Sequence, residues 1–403
     1  MTTPTSRSVA SSTAPDADRY DVVVVGARAA GAATAMLLAR AGLRVLVVDR
    51  SRYGSDLLST HALLRAGVVQ LSRWGLLGRV AASGAPPVRS TVFRYGDTRV
   101  EVPIRPGAGF DALYAPRRTA LDPILVDAAR EAGAEVRFGL SVTGVCRDRT
   151  GRVSGITGHD STGASFSARA RVTVGADGMS SRIARLVGAP VERSAKNAVA
   201  FVYGYWDQQG DAYELFYRPG VAAGIFPTND GQACVFAGTT PQRFRSQSAA
   251  GVNGLYRRLL DEVAPGVFDS RTGPQPSERL RAFTGRPGYL RRPGGPGWAL
   301  VGDAGYFKDP ITSHGISDAL RDAELLARAL VAAASGSASE PAALTAYQAT
   351  RDRLSMRLFA TTDAIASFTW DVDGIRALLK QVSAAMSEEV TLLDELGSAT
   401  AAA

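Results

Sequence analysis

The chain has 403 residues, 45% of them apolar and 21% charged, the make-up of a globular protein long enough for two intertwined units, and it has no apolar run that would span a bilayer. Its net charge of +8 rests almost wholly on arginine, the lysines being Lys196, Lys308 and Lys380; scattered arginines without basic runs or interleaved aromatics argue against a nucleic-acid partner and favour planar oxyanions. Two cysteines, Cys146 and Cys234, and three histidines form neither a CxxC nor a metal-ligand spacing, so no metal and no disulfide framework is expected, and the reducing cytoplasm is the default compartment.

Residues 1–18 are rich in Ser, Thr and Ala and lack an apolar h-region, which predicts a disordered tail and not a signal peptide. Asp21 to Val25 is a continuous β-branched run, as in a central parallel strand buried on both faces. An alanine-rich helix follows over about 29–41, and Gly42 stops it. A second buried strand, 43–48, ends at Asp49 and closes a βαβ unit. A helical segment is predicted over 61–82, up to the breaker Gly84-Ala-Pro-Pro87. Segments 88–104 and 196–240 alternate apolar with polar residues, predicting antiparallel strands with one wet face. Residues 116–190 return to α/β patterning. A Pro/Gly-rich bend, 286–297, leads into the strand Trp298 to Val301, and helical periodicity covers 317–334 and 341–397.

The fold class is therefore α/β, or α+β overall. A discontinuous Rossmann-like nucleotide-binding domain occupies 19–82, 111–190 and 281–335. An antiparallel β-sheet substrate domain, 83–110 and 191–280, is inserted into it, and 336–403 form a helical C-terminus with its tail. That terminus either packs on the core or makes a homodimer contact.

The turn after the first strand reads Gly26-Ala27-Arg28-Ala29-Ala30-Gly31. Small residues there let backbone amides at a helix N-terminus approach a pyrophosphate. Arg28 replaces the middle glycine of GxGxxG and brings a cation to the same place. Asp49 follows at close to the spacing of roughly 20 residues expected of an acid that accepts ribose hydroxyl hydrogen bonds. Arg50 adds a further cation beside it.

Three further segments narrow the nucleotide. Gly175-Ala-Asp177-Gly-Met-Ser-Ser-Arg182 resembles the DG motif of the group A flavoprotein monooxygenases, the para-hydroxybenzoate hydroxylase superfamily. Val301-Gly302-Asp303 through Pro310, Gly315 and Ile316 resembles that superfamily's GD motif and flavin loop. Arg118 with Leu121 resembles its phosphate-facing arginine. The resemblance covers about 20–334 and implies FAD, held by Gly26, Ala27, Arg28, Ala30, Gly31, Asp49, Arg50, Arg118, Asp177, Gly302, Asp303, Pro310, Gly315 and Ile316. It also implies NAD(P)H as a transient reductant beside the flavin; an external flavin reductase stays open. The activity it implies is insertion of one oxygen atom, through a flavin hydroperoxide, into a hydrophobic, aromatic or polyketide-like small molecule. The loop is similar as well to those of geranylgeranyl reductases and flavin-dependent halogenases. The halogenase lysine and WxWxIP motif are missing, Gly224-Ile-Phe-Pro227 standing at a comparable place.

Histidine is the side chain most ready to exchange a proton near neutral pH. His61, just beyond Asp49 in Ser59-Thr60-His61, and His314, inside the flavin loop, are the candidate catalytic residues. The bland readings are a Ser-Thr helix cap with a surface histidine, and a solvent-facing loop histidine. His159, in a polar hairpin-like stretch, reads as surface. Lys308 and Asp309 suggest an exposed ion pair. Aromatics of the inserted sheet, among them Phe93, Tyr95, Phe201, Tyr203, Tyr205, Phe216, Tyr217, Phe226 and Phe236, form a candidate substrate floor, about half of them core because alternation buries one face in any case.

Overall fold

Val22 to Val25 are buried because the strand Arg19–Val25 lies inside a parallel sheet. Val23 pairs with Leu46 of Val45–Asp49 on one side and with Thr173 of Ser165–Gly175 on the other. Trp298–Leu300 and Glu135–Phe138 extend the parallel set at its two ends, and the strands Ser141–Arg147 and Val153–His159 add an antiparallel edge. The computed structural model describes residues 19–107, 109–207, 210–268 and 276–401; the expected disordered tail, 1–18, lies outside them. Helices Ala29–Arg40, Arg118–Glu131 and Gly315–Ala334 lie against one another beside this sheet. Ala32, Ala33 and Ala35 are fully buried, and their small side chains allow that close stacking.

The inserted sheet has seven strands, in the order Arg281–Phe283, Ala200–Asp207, Gln232–Thr239, Val221–Pro227, Ala212–Arg218, Ser90–Tyr95, Thr98–Pro103. Four expectations are corrected here. Ser90–Tyr95 runs parallel to Ala212–Arg218, because the chain leaves the sheet after residue 103 and re-enters from the nucleotide unit. The central strands have no wet face. Helix Val252–Val263 buries Leu255, Tyr256, Leu259, Leu260 and Val263 on their outer side, and the edge strands Thr98–Pro103 and Arg281–Phe283 stay open to water. Arg281–Phe283, assigned from sequence to the nucleotide unit, pairs with Phe201–Tyr203 in this sheet. Val191–Ser194, assigned to the inserted domain, joins Tyr289–Arg291 and Tyr306–Phe307 in a third, three-stranded sheet.

The single helix expected over 61–82 is two, Arg65–Arg73 and Leu77–Ala82. Gly75, with φ +77°, breaks it. Leu63, just before the first of the two helices, forms an isolated bridge with Tyr114. At the C-terminal side, Glu340–Ala366 packs on Gly315–Ala334, and Val372–Ala401 packs on Glu340–Ala366 and Arg65–Arg73. Among the described residues, no helix is long and apolar enough to cross a membrane.

Candidate active site

Three of the sequence motifs meet at one point. Gly26 takes φ +108°, and a Cβ there would stand 2.4 Å from the Ala176 carbonyl oxygen of the DG segment. A Cβ on Gly31 would stand 1.9 Å from the Gly26 oxygen. Gly302 of the GD segment takes φ +59°, with Ala30 Cβ 2.8 Å from where its own Cβ would be. Glycine is thus required at the three positions, and the closeness of the backbones makes a cradle at the first helix N-terminus. Asp49 is tied into it. Its Oδ2 accepts the Ala27 N–H at 2.7 Å, and its Oδ1 accepts from the Ser51 N–H and hydroxyl. Arg50 stands just beyond, exposed.

Arg28 and Arg118 converge on a residue that the sequence reading passed over. Asp122 takes Arg28 Nη1 at 3.0 Å on Oδ2 and Arg118 Nε at 2.9 Å on Oδ1. The signal was there in part, since Asp122 follows Arg118 by one helical turn. Arg28 also donates to the Ser55 carbonyl at 2.5 Å and to its hydroxyl. The guanidinium thereby fastens the loop 51–60 to the phosphate turn.

Asp177 departs from its expected part as a nucleotide-facing group. Its two oxygens take the Ser181 hydroxyl and the amides of Arg182 and Ile183, which caps the short helix Arg182–Leu186. Asp303 is half-buried by surface area, yet enough protein surrounds it that desolvation pushes its carboxyl up to about 6, with Arg118 and Lys308 pulling the other way. The loop beyond it winds through a short 3₁₀ turn, Pro310–Thr312, and a left-handed Ser313 before helix Gly315–Ala334 begins. Gly315 is exposed, and Pro310 and Ile316 are half-buried.

Lys308 and Asp309 are buried and are not each other's partners. Asp309 accepts the amides of Val199 and Ile311, and burial pushes it up to about 7. Lys308 bonds Asp318. His314, expected as a candidate catalytic residue, is not solvent-facing. It is 1% exposed and enclosed by carboxylates, Glu389 Oε2 lying 3.0 Å from Nε2 and Asp318 Oδ1 3.7 Å from Nδ1. Nothing in the sequence pointed to Glu389. His159 is exposed at the end of its strand.

His61 is fully buried, with a left-handed φ of +68°, so neither the cap nor the surface reading applies. Its Nε2 lies 2.5 Å from the Tyr205 hydroxyl, and its Nδ1 has no hydrogen-bond partner. Burial, with Arg118, Arg117 and Arg281 adding and Asp56 opposing, holds the imidazole down near 3. The Tyr205 hydroxyl is pushed up by burial, and Arg117 stacks 3.8 Å over its ring. Ser59 donates its amide to the Tyr203 hydroxyl. The sheet face beyond this pair carries Tyr95, Phe201, Tyr203, Tyr213, Phe226 and Phe236 in the core shared with the nucleotide unit. Phe216 and Trp206 point the other way, onto helix Val252–Val263.

This geometry has known counterparts. Residues 19–362 match the family described as FAD binding domain. A digeranylgeranylglycerophospholipid reductase of Methanocella arvoryzae is 28% identical over 75% of this chain and 74% of its own. A menaquinone reductase of Mycolicibacterium smegmatis is 30% identical over 77% and 76%. Among solved structures, PqsL of P. aeruginosa in complex with 2-aminobenzoylacetate superposes with a TM-score of 0.74 at 23% identity, covering 90% of this chain and all of that one. The flavin-dependent halogenase CmlS gives 0.76 at 21% identity, covering 87% of this chain and 66% of that one. At these identities the solved structures speak to the fold. A cradle that only glycine permits, Asp49 and Asp303 at strand ends and a matching family model over most of the chain have one explanation: the protein belongs to the FAD-binding-domain family and is a flavin-dependent oxidoreductase.

Proposed function

We propose that the chain is an FAD-dependent monooxygenase that transfers one atom of dioxygen to a hydrophobic, aromatic or polyketide-like small molecule, with NADH or NADPH as transient reductant. The observation that carries this reading is the buried His61–Tyr205 pair at the edge of an aromatic sheet face, within the electrostatic reach of Arg118. FAD, when bound, would supply the two-electron redox chemistry.

The Gly26–Gly31 turn and Arg118 bind the pyrophosphate, with Asp122 orienting the arginine. Asp49 and Asp303 accept hydrogen bonds from ribose and ribityl hydroxyls. The N-terminus of helix Gly315–Ala334, through the Gly315 and Ile316 amides, favours negative charge on the reduced ring. The aromatic face excludes water and seats a flat substrate. With Nε2–H donating to the Tyr205 oxygen, His61 Nδ1 is the free acceptor for a substrate hydroxyl proton. Held near 3, the imidazole stays neutral and would orient that hydroxyl as a hydrogen-bond acceptor.

The test is a reaction of the reduced holoenzyme with 18O2 and a panel of phenolic aromatics and polyketides. One 18O atom in the product, driven by NADH or NADPH, is the expected result. A product gaining two hydrogens without oxygen uptake would replace this reading with reduction of the geranylgeranyl type. That alternative is favoured by the reductase names of relatives at 28% and 30% identity. Halogenated product in the presence of halide would replace both. A bound flavin that resists both nucleotides would point to an external reductase.

A further inference from the structure

Behind the flavin loop lies a closed group of charges drawn from four segments. Lys308 follows the strand Tyr306–Phe307; Asp318, Arg321 and Asp322 belong to helix Gly315–Ala334; Glu389 comes from helix Val372–Ala401; and His314 stands at the start of the first of these helices. All are at most 5% exposed. Arg321 is the hub. It donates to Asp318 Oδ1 at 3.0 Å, Glu389 Oε1 at 2.9 Å, Asp322 Oδ1 at 2.8 Å and the Ser355 hydroxyl at 3.0 Å. Lys308 covers the other oxygen of Asp318.

Two cations, Lys308 and Arg321, thus face three carboxyl groups, Asp318, Asp322 and Glu389. A surplus charge this deep is costly, and proteins avoid it by binding a proton. The unpartnered atoms show where it sits. Glu389 Oε2, Asp322 Oδ2 and both ring nitrogens of His314 lack a hydrogen-bond partner, and of these Glu389 Oε2 and His314 Nε2 face each other at 3.0 Å. Arg321 reaches all three acids, so what sets Glu389 apart is that its second oxygen faces the imidazole and no cation. Burial raises the Glu389 carboxyl against the pull of Arg321 and Lys308, and it lowers the His314 imidazole, which the same two cations push further down; the imidazole is the poorer seat for the proton.

We propose that Glu389 is a positioning residue of the flavin site: its carboxyl, carrying a proton, donates from Oε2 to His314 Nε2 and so fixes the loop 309–314 and the helix N-terminus that follows it to the last helix. His314 is then the Nδ1–H tautomer, with that hydrogen toward Asp318. The proposal does not depend on whether electrons pass to oxygen or to an olefin. The ligand atoms of His314, Asp318 and Glu389 lie within 4.8 Å of one another, a spacing a divalent ion would accept, but the Lys308 and Arg321 cations bonded to the same acids would repel it.

The chain's three histidines make the test direct. In the 15N-histidine-labelled holoenzyme at pH 7, the His314 signals, assigned with His61→Gln and His159→Gln, should show a protonated Nδ1 and an acceptor Nε2. A protonated Nε2, an imidazolium, or a stoichiometric metal by elemental analysis would overturn the proposal. Glu389→Gln, which keeps a donor toward Nε2 and leaves the group neutral, should bind FAD within twofold of wild type. Glu389→Leu, also neutral but without the donor, should bind it about tenfold more weakly. Equal affinity for all three forms would likewise overturn it. As pH rises through the raised Glu389 value the proton leaves, and FAD affinity should fall several-fold in wild type but not in Glu389→Gln.

Discussion

Arg28 and Asp122 are joined at 3.0 Å across 94 positions of sequence, and the second oxygen of that carboxylate holds Arg118. One acid therefore orients both cations nearest the phosphate turn, and Arg28 in turn holds Ser55. Asp122→Asn should leave the two arginines repelling each other and misaligned. Losing one charge-assisted hydrogen bond corresponds to about 1.5–3 kcal/mol, so FAD affinity by fluorescence titration should drop by one to two orders of magnitude. Wild-type affinity in this variant would dismiss the orienting role.

The glycine cradle gives a second prediction. Gly31→Ala and Gly302→Ala place a methyl group 1.9 Å and 2.8 Å from neighbouring atoms. Both proteins should purify without flavin. Gly78→Ala meets nothing within 4 Å and should keep a full flavin spectrum.

Asp303 supplies a pH test. Its carboxyl, pushed up to about 6, loses acceptor capacity once protonated. FAD binding to the apoprotein should weaken as pH falls from 7.5 to 5, whereas Asp303→Asn should bind weakly at both ends. Asp303→Ala should retain no FAD through purification; full occupancy in that variant would remove Asp303 from the cofactor site.

His61 affects stability as well as turnover. Its folded value near 3 lies below the ordinary 6.5, so the unfolded chain binds the proton first as pH falls. Stability is complete above 6.5 and is lost below it, at up to about 1.4 kcal/mol per pH unit down to about 3. Asp303 and Asp309, with raised values, act in the opposite sense, so the informative quantity is the difference from His61→Gln. Denaturant titrations at pH 7 and pH 5 should show a smaller loss in the variant. His61→Ala and Tyr205→Phe should both slow turnover, by about tenfold for the histidine, the size of one lost buried hydrogen bond; wild-type turnover in His61→Ala would take it off the catalytic list.

Local features were legible in the sequence. The buried run Val22–Val25, the Gly26–Gly31 turn, Asp49 at a strand end and the GD segment all advertise themselves within a few residues. The cap made by Asp177 was equally local, since a helix begins five residues later, but the resemblance to a nucleotide motif outweighed it. What could not be read is pairing across distance. Tyr205 meets His61 across 144 positions. Glu389 reaches His314 from a helix whose pattern says only that one side is buried. The parallel pairing of Ser90–Tyr95 with Ala212–Arg218 is invisible to alternation, which fixes a strand's faces and not its neighbour.

The strand Trp298–Leu300 lies beside Ser165–Gly175, which lies beside Arg19–Val25, and that adjacency governs how the protein is born. The Gly26–Gly31 turn leaves the ribosome early, while Gly302 and Asp303 follow after roughly 15–60 s of synthesis at ordinary elongation speeds. Until then the strand ending at Gly175 is a bare hydrogen-bonding edge, open to wrong pairing. Flavin capture is accordingly a late event in the life of the chain, since Gly302 and Asp303 complete the site just after Trp298–Leu300 has covered that edge.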